Sequence, residues 1–278
     1  MSQAPDTSFV PRLDARQRAM LAEMGVRVWA PRTRPTGAAE ATSEPPVAAP
    51  RPAPAPVAAA SPPAATGLPV PATVMAQRPA RAGEVQSMDW ATLRETVAQC
   101  QACGLCKSRK NTVFGVGDEQ ADWMIVGEAP GENEDLRGEP FVGAAGQLLD
   151  NMLLATGRSR DGRGAEGAYI ANVLKCRPPA NRNPQPEEVV QCEPYLARQV
   201  ALVKPRVIVA MGRFAVQSLL KTTEPIGRLR GRVHRYEGVP VIVSYHPAYL
   251  LRTPLDKGKA WADLCLAMHV MEQPPAGD

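Results

Sequence analysis

The stretch Met124–Gly143, reading Met-Ile-Val-Gly-Glu-Ala-Pro-Gly-Glu-Asn-Glu-Asp-Leu-Arg-Gly-Glu-Pro-Phe-Val-Gly, constrains this chain more than any other. It opens as a short apolar run, Met124–Val126, which predicts a buried strand. The run breaks at Gly127, Pro130 and Gly131 into a turn where backbone can approach a ligand closely. Three carboxylates, Glu128, Glu132 and Glu134, crowd that turn, and Phe141 follows. Charged groups beside a glycine-rich turn at the carboxyl end of a parallel strand mark the place where open α/β sheets carry their chemistry.

Further apolar runs follow at Ala168–Lys175, Arg206–Met211 and Val239–Ser244. Helical patterns lie between and around them: Asp89–Cys100 with a capping aspartate, a segment from Pro186 carrying Cys192, Gly212–Lys221, and Lys259–Met271. Strands alternate with helices, and each strand core is continuously apolar rather than alternating. That pattern predicts a parallel sheet of four strands covered on both faces.

The folded part begins near Ser87 and runs to residue 272, with a short tail over 273–278. Ahead of it, residues 35–86 are rich in alanine and proline, a composition that buries too little apolar surface to offset its ordering entropy, so a disordered linker is expected. Residues 1–34 are polar apart from an amphipathic patch, Arg16–Trp29, which is a candidate docking motif for a protein partner. The opening residues lack the apolar core of a signal peptide, and no run reaches the length of a membrane span. A cytoplasmic monomer with no membrane attachment is expected. The formal charge of +4 permits a polyanionic partner.

In a reducing cytoplasm, six cysteines point to metal ligation or core packing rather than disulfides. Cys100 and Cys103 form a C-x-x-C pair at a helix end, with Cys176 and Cys192 far downstream. Four thiolates suit zinc or an iron–sulfur cluster, and spacing does not separate the two. Cys106 extends the first pair to C-x-x-C-x-x-C, and Cys265 falls on the apolar side of the last helix as a small core residue.

Four segments in this order, Gly127-Glu-Ala-Pro-Gly131, Pro140-Phe-Val-Gly143, Asn172-Val-Leu-Lys-Cys-Arg-Pro-Pro179 and His246-Pro-Ala-Tyr-Leu-Leu-Arg252, resemble the family-4 uracil-DNA glycosylases, which carry a [4Fe–4S] cluster. The resemblance spans about residues 88–272. It implies a three-layer α/β/α sandwich around a four-stranded parallel sheet, and a DNA repair enzyme that hydrolyses the glycosidic bond of deoxyuridine in single- or double-stranded DNA. It also implies cluster ligation by Cys100, Cys103, Cys176 and Cys192, with Cys106 left as a spare thiol nearby.

The same resemblance assigns Glu128, His246 and Asn181 to catalysis and Gly127, Ala129, Gly131, Phe141 and Asn172 to the substrate pocket. The chemistry needs such groups: a carboxylate for the sugar cation and the water, and a donor for the leaving uracil anion. An amide that donates to the 4-carbonyl and accepts from the imide N–H distinguishes uracil from cytosine.

Two departures stand out. The Asp-Pro-Tyr of better-known uracil glycosylases is replaced by Ala129-Pro130-Gly131, so the carboxylate is Glu128 or Glu134. The basic, histidine-containing insertion of relatives that become trapped on DNA is missing, which implies turnover.

Base flipping also requires a wedge and a grip on phosphate. Tyr249, Leu250, Leu251 and Arg252 are the expected wedge, with Arg228, Arg230, Arg232 and Arg235 as nearby phosphate contacts. The alternative to an enzyme is a non-catalytic iron–sulfur DNA-binding accessory of replication or repair. The joint presence of Glu128, Asn172 and His246 disfavours it.

Overall fold

A computed structural model describes residues 83–272. The amphipathic patch, the linker up to residue 82 and the C-terminal tail lie outside the described residues. Val85 was expected in the linker, yet it is buried beside Leu93, Val97, Phe114 and Tyr195. The packed domain therefore reaches back before Ser87.

Helix α1 (Trp90–Ala98) starts where Asp89 accepts from the backbone N–H of Thr92 at 2.8 Å. A two-residue strand β1 (Val116–Gly117) precedes the central strand β2 (Trp123–Gly127), and the short α2 (Glu132–Arg137) and longer α3 (Ala144–Ala155) follow. Then come β3 (Ala168–Asn172), the long α4 (Pro186–Val203), β4 (Val207–Met211) and α5 (Arg213–Leu220). The chain closes with α6 (Ile226–Leu229), β5 (Val233–Tyr236), β6 (Val239–Ser244), α7 (Pro247–Arg252) and α8 (Lys257–Glu272).

The sheet corrects the expectation of four parallel strands. It has six strands in the order β1-β3-β2-β4-β6-β5, and it is mixed. The four apolar runs form its parallel centre, β3-β2-β4-β6, while β1 and β5 pair antiparallel at the two edges. Strand β5 hid from the sequence because it lies at an edge. Its Val233 and Arg235 face solvent, and a two-residue Glu237-Gly238 turn folds it onto β6.

Alternate side chains of the central strands serve the two faces. Trp123, Ile125, Ile170, Val209 and Ile242 pack with α3, α7 and α8, whereas Met124, Val126, Ala171, Ala210 and Val243 pack with α4 and α5. Every residue of β2, β3 and β4 is buried, which accounts for their uninterrupted apolar character. Strand β3 ends at Asn172, short of the expected Lys175. The Lys175 ammonium turns inward and donates to the Asn172 carbonyl at 2.7 Å and to Gln199 Oε1 at 2.6 Å.

Candidate active site

Parallel strands bring their carboxyl ends to one edge, so Gly127 stands level with Asn172, and Met211 with Ser244. Just beyond these ends lies a cavity of about 480 Å³. Its walls include Glu128, Ala129, Gly131, Phe141, Asn172, Asn181 and His246. Every expected catalytic and base-contacting residue therefore meets at one place, save Gly127, which sits beneath it in the strand end.

Gly127 permits the closest approach in the site. A Cβ there would stand 2.4 Å from Asn172 Oδ1 and 2.5 Å from Phe141 Cζ, so neither could close over the strand end above a larger residue. Phe141 adopts a left-handed backbone (φ 55), and its ring stacks on His246 at 5.4 Å between centroids. Gly212 also lacks room, because a Cβ would lie 3.0 Å from that of His246, and its φ of 93 is left-handed.

The two carboxylates left open by the missing aspartate are told apart by their partners. Glu134 Oε2 accepts from the Gly131 N–H at 3.0 Å and Oε1 from the Val142 N–H at 3.0 Å, so this side chain braces the two turns of the pocket against each other. Glu128 has no side-chain hydrogen bond among the described residues and lines the cavity. Burial raises its carboxyl to about 6, partly offset by the charge of Arg213.

His246 caps α7. Its Nδ1 accepts from the Ala248 N–H at 3.1 Å, which places the ring proton on Nε2. Burial, assisted by the neighbouring Arg252 charge and opposed by Glu134, lowers its basicity to about 4. The imidazole is thus a neutral donor near pH 7. Asn172 is 2 % exposed, and its Oδ1 has no hydrogen-bond partner among the described residues. A buried acceptor left open in a cavity wall is costly unless a ligand supplies the proton.

Asn181 is exposed on the rim in a left-handed conformation (φ 52), and its Oδ1 accepts from Arg177 Nε at 2.8 Å.

The expected wedge requires correction. Leu250 is fully buried in the core against α3, because the helical turn of α7 points it inward. Leu251, 44 % exposed, is the outward apolar side chain. Tyr249 stacks on Tyr245 at 4.9 Å and donates to Asp256 at 2.6 Å, and Arg252 is exposed at the cavity edge.

Among the expected phosphate contacts, Arg230 is instead a structural cation. It clasps both oxygens of buried Asp263 at 2.7 and 2.8 Å and lies over the Tyr245 ring. Arg235 reaches the Gly238 carbonyl at 2.9 Å, while Arg228 and Arg232 remain exposed.

Comparison with known proteins decides the family. The model of the uracil DNA glycosylase superfamily matches residues 114–265, more than half of the chain. The chain belongs to the uracil DNA glycosylase superfamily. Within it, the chain is 49 % identical over 166 residues to a protein of Archaeoglobus fulgidus named Type-4 uracil-DNA glycosylase, covering 57 % of this chain and 81 % of that one. A protein of the same name from Pyrobaculum aerophilum is 44 % identical over 64 % of this chain and 93 % of its own length. A Type-5 uracil-DNA glycosylase of Pyrobaculum aerophilum is 37 % identical over 48 % of this chain and 64 % of its own. The family that the four motifs resemble is thereby borne out.

This superfamily member also gathers thiols on the α4 side of the sheet. Cys103, Cys176 and Cys192 pack in one apolar cluster, and Cys100 closes α1 beside them. Electrostatic contacts link the four: Cys176 and Cys192 both feel Cys103, Cys176 and Cys103 feel Cys100, and Cys192 feels Cys176. Burial pushes the Cys176 thiol up to about 11 and Cys192 up to about 12. No three Cys, His, Asp or Glu side chains among the described residues converge as they would around one ion.

The sequence did not single out Arg109. Its Nη1 reaches Cys176 Sγ at 3.2 Å and the Cys100 carbonyl at 2.7 Å, and Nη2 reaches the Ala98 carbonyl at 3.1 Å. Cys106 lies near Cys103 and Arg109 in a short 3₁₀ turn, Gly104–Lys107, and Cys265, half-buried on α8, packs against the core.

Proposed function

We propose that this protein is a DNA repair glycosylase that hydrolyses the N-glycosidic bond of deoxyuridine in DNA, releasing uracil and leaving an abasic site. The open Oδ1 of Asn172, buried in the wall of a cavity that also holds Glu128 and His246, carries this reading. Uracil offers an imide N–H where cytosine has a bare acceptor. Cytosine would set two acceptors face to face, and a buried polar group left unpaired costs about 1–3 kcal/mol.

The remaining groups divide the charges of the transition state. Glu128, ionised above about pH 6 and with no side-chain hydrogen bond among the described residues, faces the developing sugar cation and orients the attacking water. The Nε2–H of His246 donates to the uracil 2-carbonyl as negative charge gathers there. Because His246 is neutral, it stabilises the anion without protonating it, as a preorganised dipole does. Phe141 supplies an aromatic wall against the base. Leu251 and Arg252, outward on α7, suit the gap left by the flipped base and the adjoining phosphate.

Cys100, Cys103, Cys176 and Cys192 would hold a [4Fe–4S] cluster. Such a cluster spaces its thiolates more widely than one zinc ion does, and it supplies a cross-link of the α1–α4 side together with a redox-active centre. Arg109 gives Cys176 a charged N–H partner, the kind of contact that tunes such a centre. A monomer acting in the reducing cytoplasm on single- or double-stranded uracil-containing DNA, with the N-terminal segment as a docking arm, completes the proposal.

The test is base release from a uracil-containing oligonucleotide by purified protein. Uracil and an abasic site are expected as products. Binding without release would favour the non-catalytic accessory instead.

A further inference from the structure

Arg177 follows Cys176 directly in the chain and is half-buried between two pocket loops. Its Nε donates to Asn181 Oδ1 at 2.8 Å, and its Nη2 lies 3.7 Å from Glu132 Oε2 at the start of α2. Ala180 and Asn181 both have left-handed backbone (φ 53 and 52), a conformation asparagine tolerates better than most residues. The loop is closed by the Asn181 N–H on the Pro178 carbonyl at 3.0 Å. Arg182 then anchors it to Glu188 of α4 through two guanidinium–carboxylate contacts.

Guanidinium nitrogens only donate, so the orientation of the Asn181 amide has one solution. The oxygen faces Arg177, and the Nδ2 hydrogens face away from it. Asn181 also lines the cavity that holds Glu128 and His246.

We propose that Arg177 is a positioning residue that fixes the Asn181 amide, so that Asn181 serves the reaction solely as a hydrogen-bond donor to an oxygen of the flipped nucleotide or of the attacking water. This rests on the glycosylase reading of the pocket and sharpens it. With its oxygen engaged, Asn181 cannot accept a hydrogen bond from the attacking water, which leaves that role to the Glu128 carboxylate.

A double-mutant cycle in the full, iron-loaded chain tests this, read as single-turnover release of uracil, with visible absorbance recording cluster content. Arg177→Met should slow release about tenfold, the scale of one well-placed hydrogen bond, yet cause no further loss in an Asn181→Ala background. Arg177→Lys, which keeps a charge and a donor, should recover part of the rate. Asn181→Asp should be as slow as Asn181→Ala even though aspartate still pairs with Arg177, because it has no donor to offer.

The proposal is overturned if Arg177→Met costs as much in the Asn181→Ala background as in the wild type, if it costs nothing, or if Asn181→Asp matches the wild type. Loss of the iron absorbance from both Arg177 variants also overturns it, since Arg177 would then serve the thiols. A wild-type chain that releases no uracil would instead remove the functional reading itself.

Discussion

The base pocket and the thiol centre sit on the same domain, and they treat their polar groups in opposite ways. In the pocket two chemically able groups are left open: among the described residues, neither Asn172 Oδ1 nor the Glu128 carboxylate has a hydrogen-bond partner. Around the thiols the polar neighbours are tied down. Arg109 spans Cys176, Cys100 and Ala98, Arg182 clasps Glu188, and Lys175 is held between Asn172 and Gln199. Buried groups that await a ligand are kept unpaired at a cost to stability, whereas groups that hold a scaffold are satisfied within it. The pocket should therefore yield to mutation in activity, and the thiol centre in stability.

The largest expected effect lies on the thiol side. Cys192→Ala should abolish iron binding and lower the melting temperature sharply, while Cys265→Ala and Cys106→Ala keep both. Iron analysis and thermal melting would record this, and full iron content in Cys192→Ala would sink the ligand assignment. Next is Glu128→Gln, which should reduce single-turnover cleavage roughly 100-fold or more, the scale of one electrostatic group, and leave melting unchanged or slightly higher because a desolvated charge is removed. A comparable fall in melting temperature would blur the contrast between the two regions.

A smaller effect is the pH dependence. Glu128 is raised to about 6, so cleavage should climb about tenfold per pH unit below that value and level off above it. His246, already neutral well above about 4, should add no second limb in that range. A descending limb between pH 7 and 8 would contradict a neutral histidine. Smallest is Arg252→Ala, which should weaken DNA binding a few-fold and flatten its salt dependence by about one phosphate contact, without altering base choice. Altered base choice would move Arg252 from the rim into the pocket.

Much of the site was legible in the sequence because backbone geometry alone carries it. Residues that directly follow an apolar run in a parallel sheet arrive at one edge whatever their side chains do, so Glu128, Asn172 and His246 were brought together by register. The errors share a cause as well. Arg230 looked like a phosphate contact and Leu250 like a wedge because their neighbours are polar or exposed, yet each points into the domain. Strand β5 escaped notice since an edge strand with two solvent-facing positions has no apolar run. Direction around a helix or across an edge strand depends on what packs from elsewhere in the chain.

The sequence by itself determined the four central strands, the layered class, the cysteine set and the motif residues, because these depend on local periodicity and on residues adjacent to strand ends. Only the tertiary structure decided which carboxylate is free. The sequence favours Glu128 but leaves Glu134 as an alternative, and the two part company when the Gly131 and Val142 amides close on Glu134 from two different turns. The same holds for Arg109 and Arg177: an arginine near a cysteine in the chain says little until the fold brings a sulfur or an amide oxygen within hydrogen-bond reach. Hydrogen-bond satisfaction is a property of distant segments meeting, and no reading of neighbours along the chain contains it.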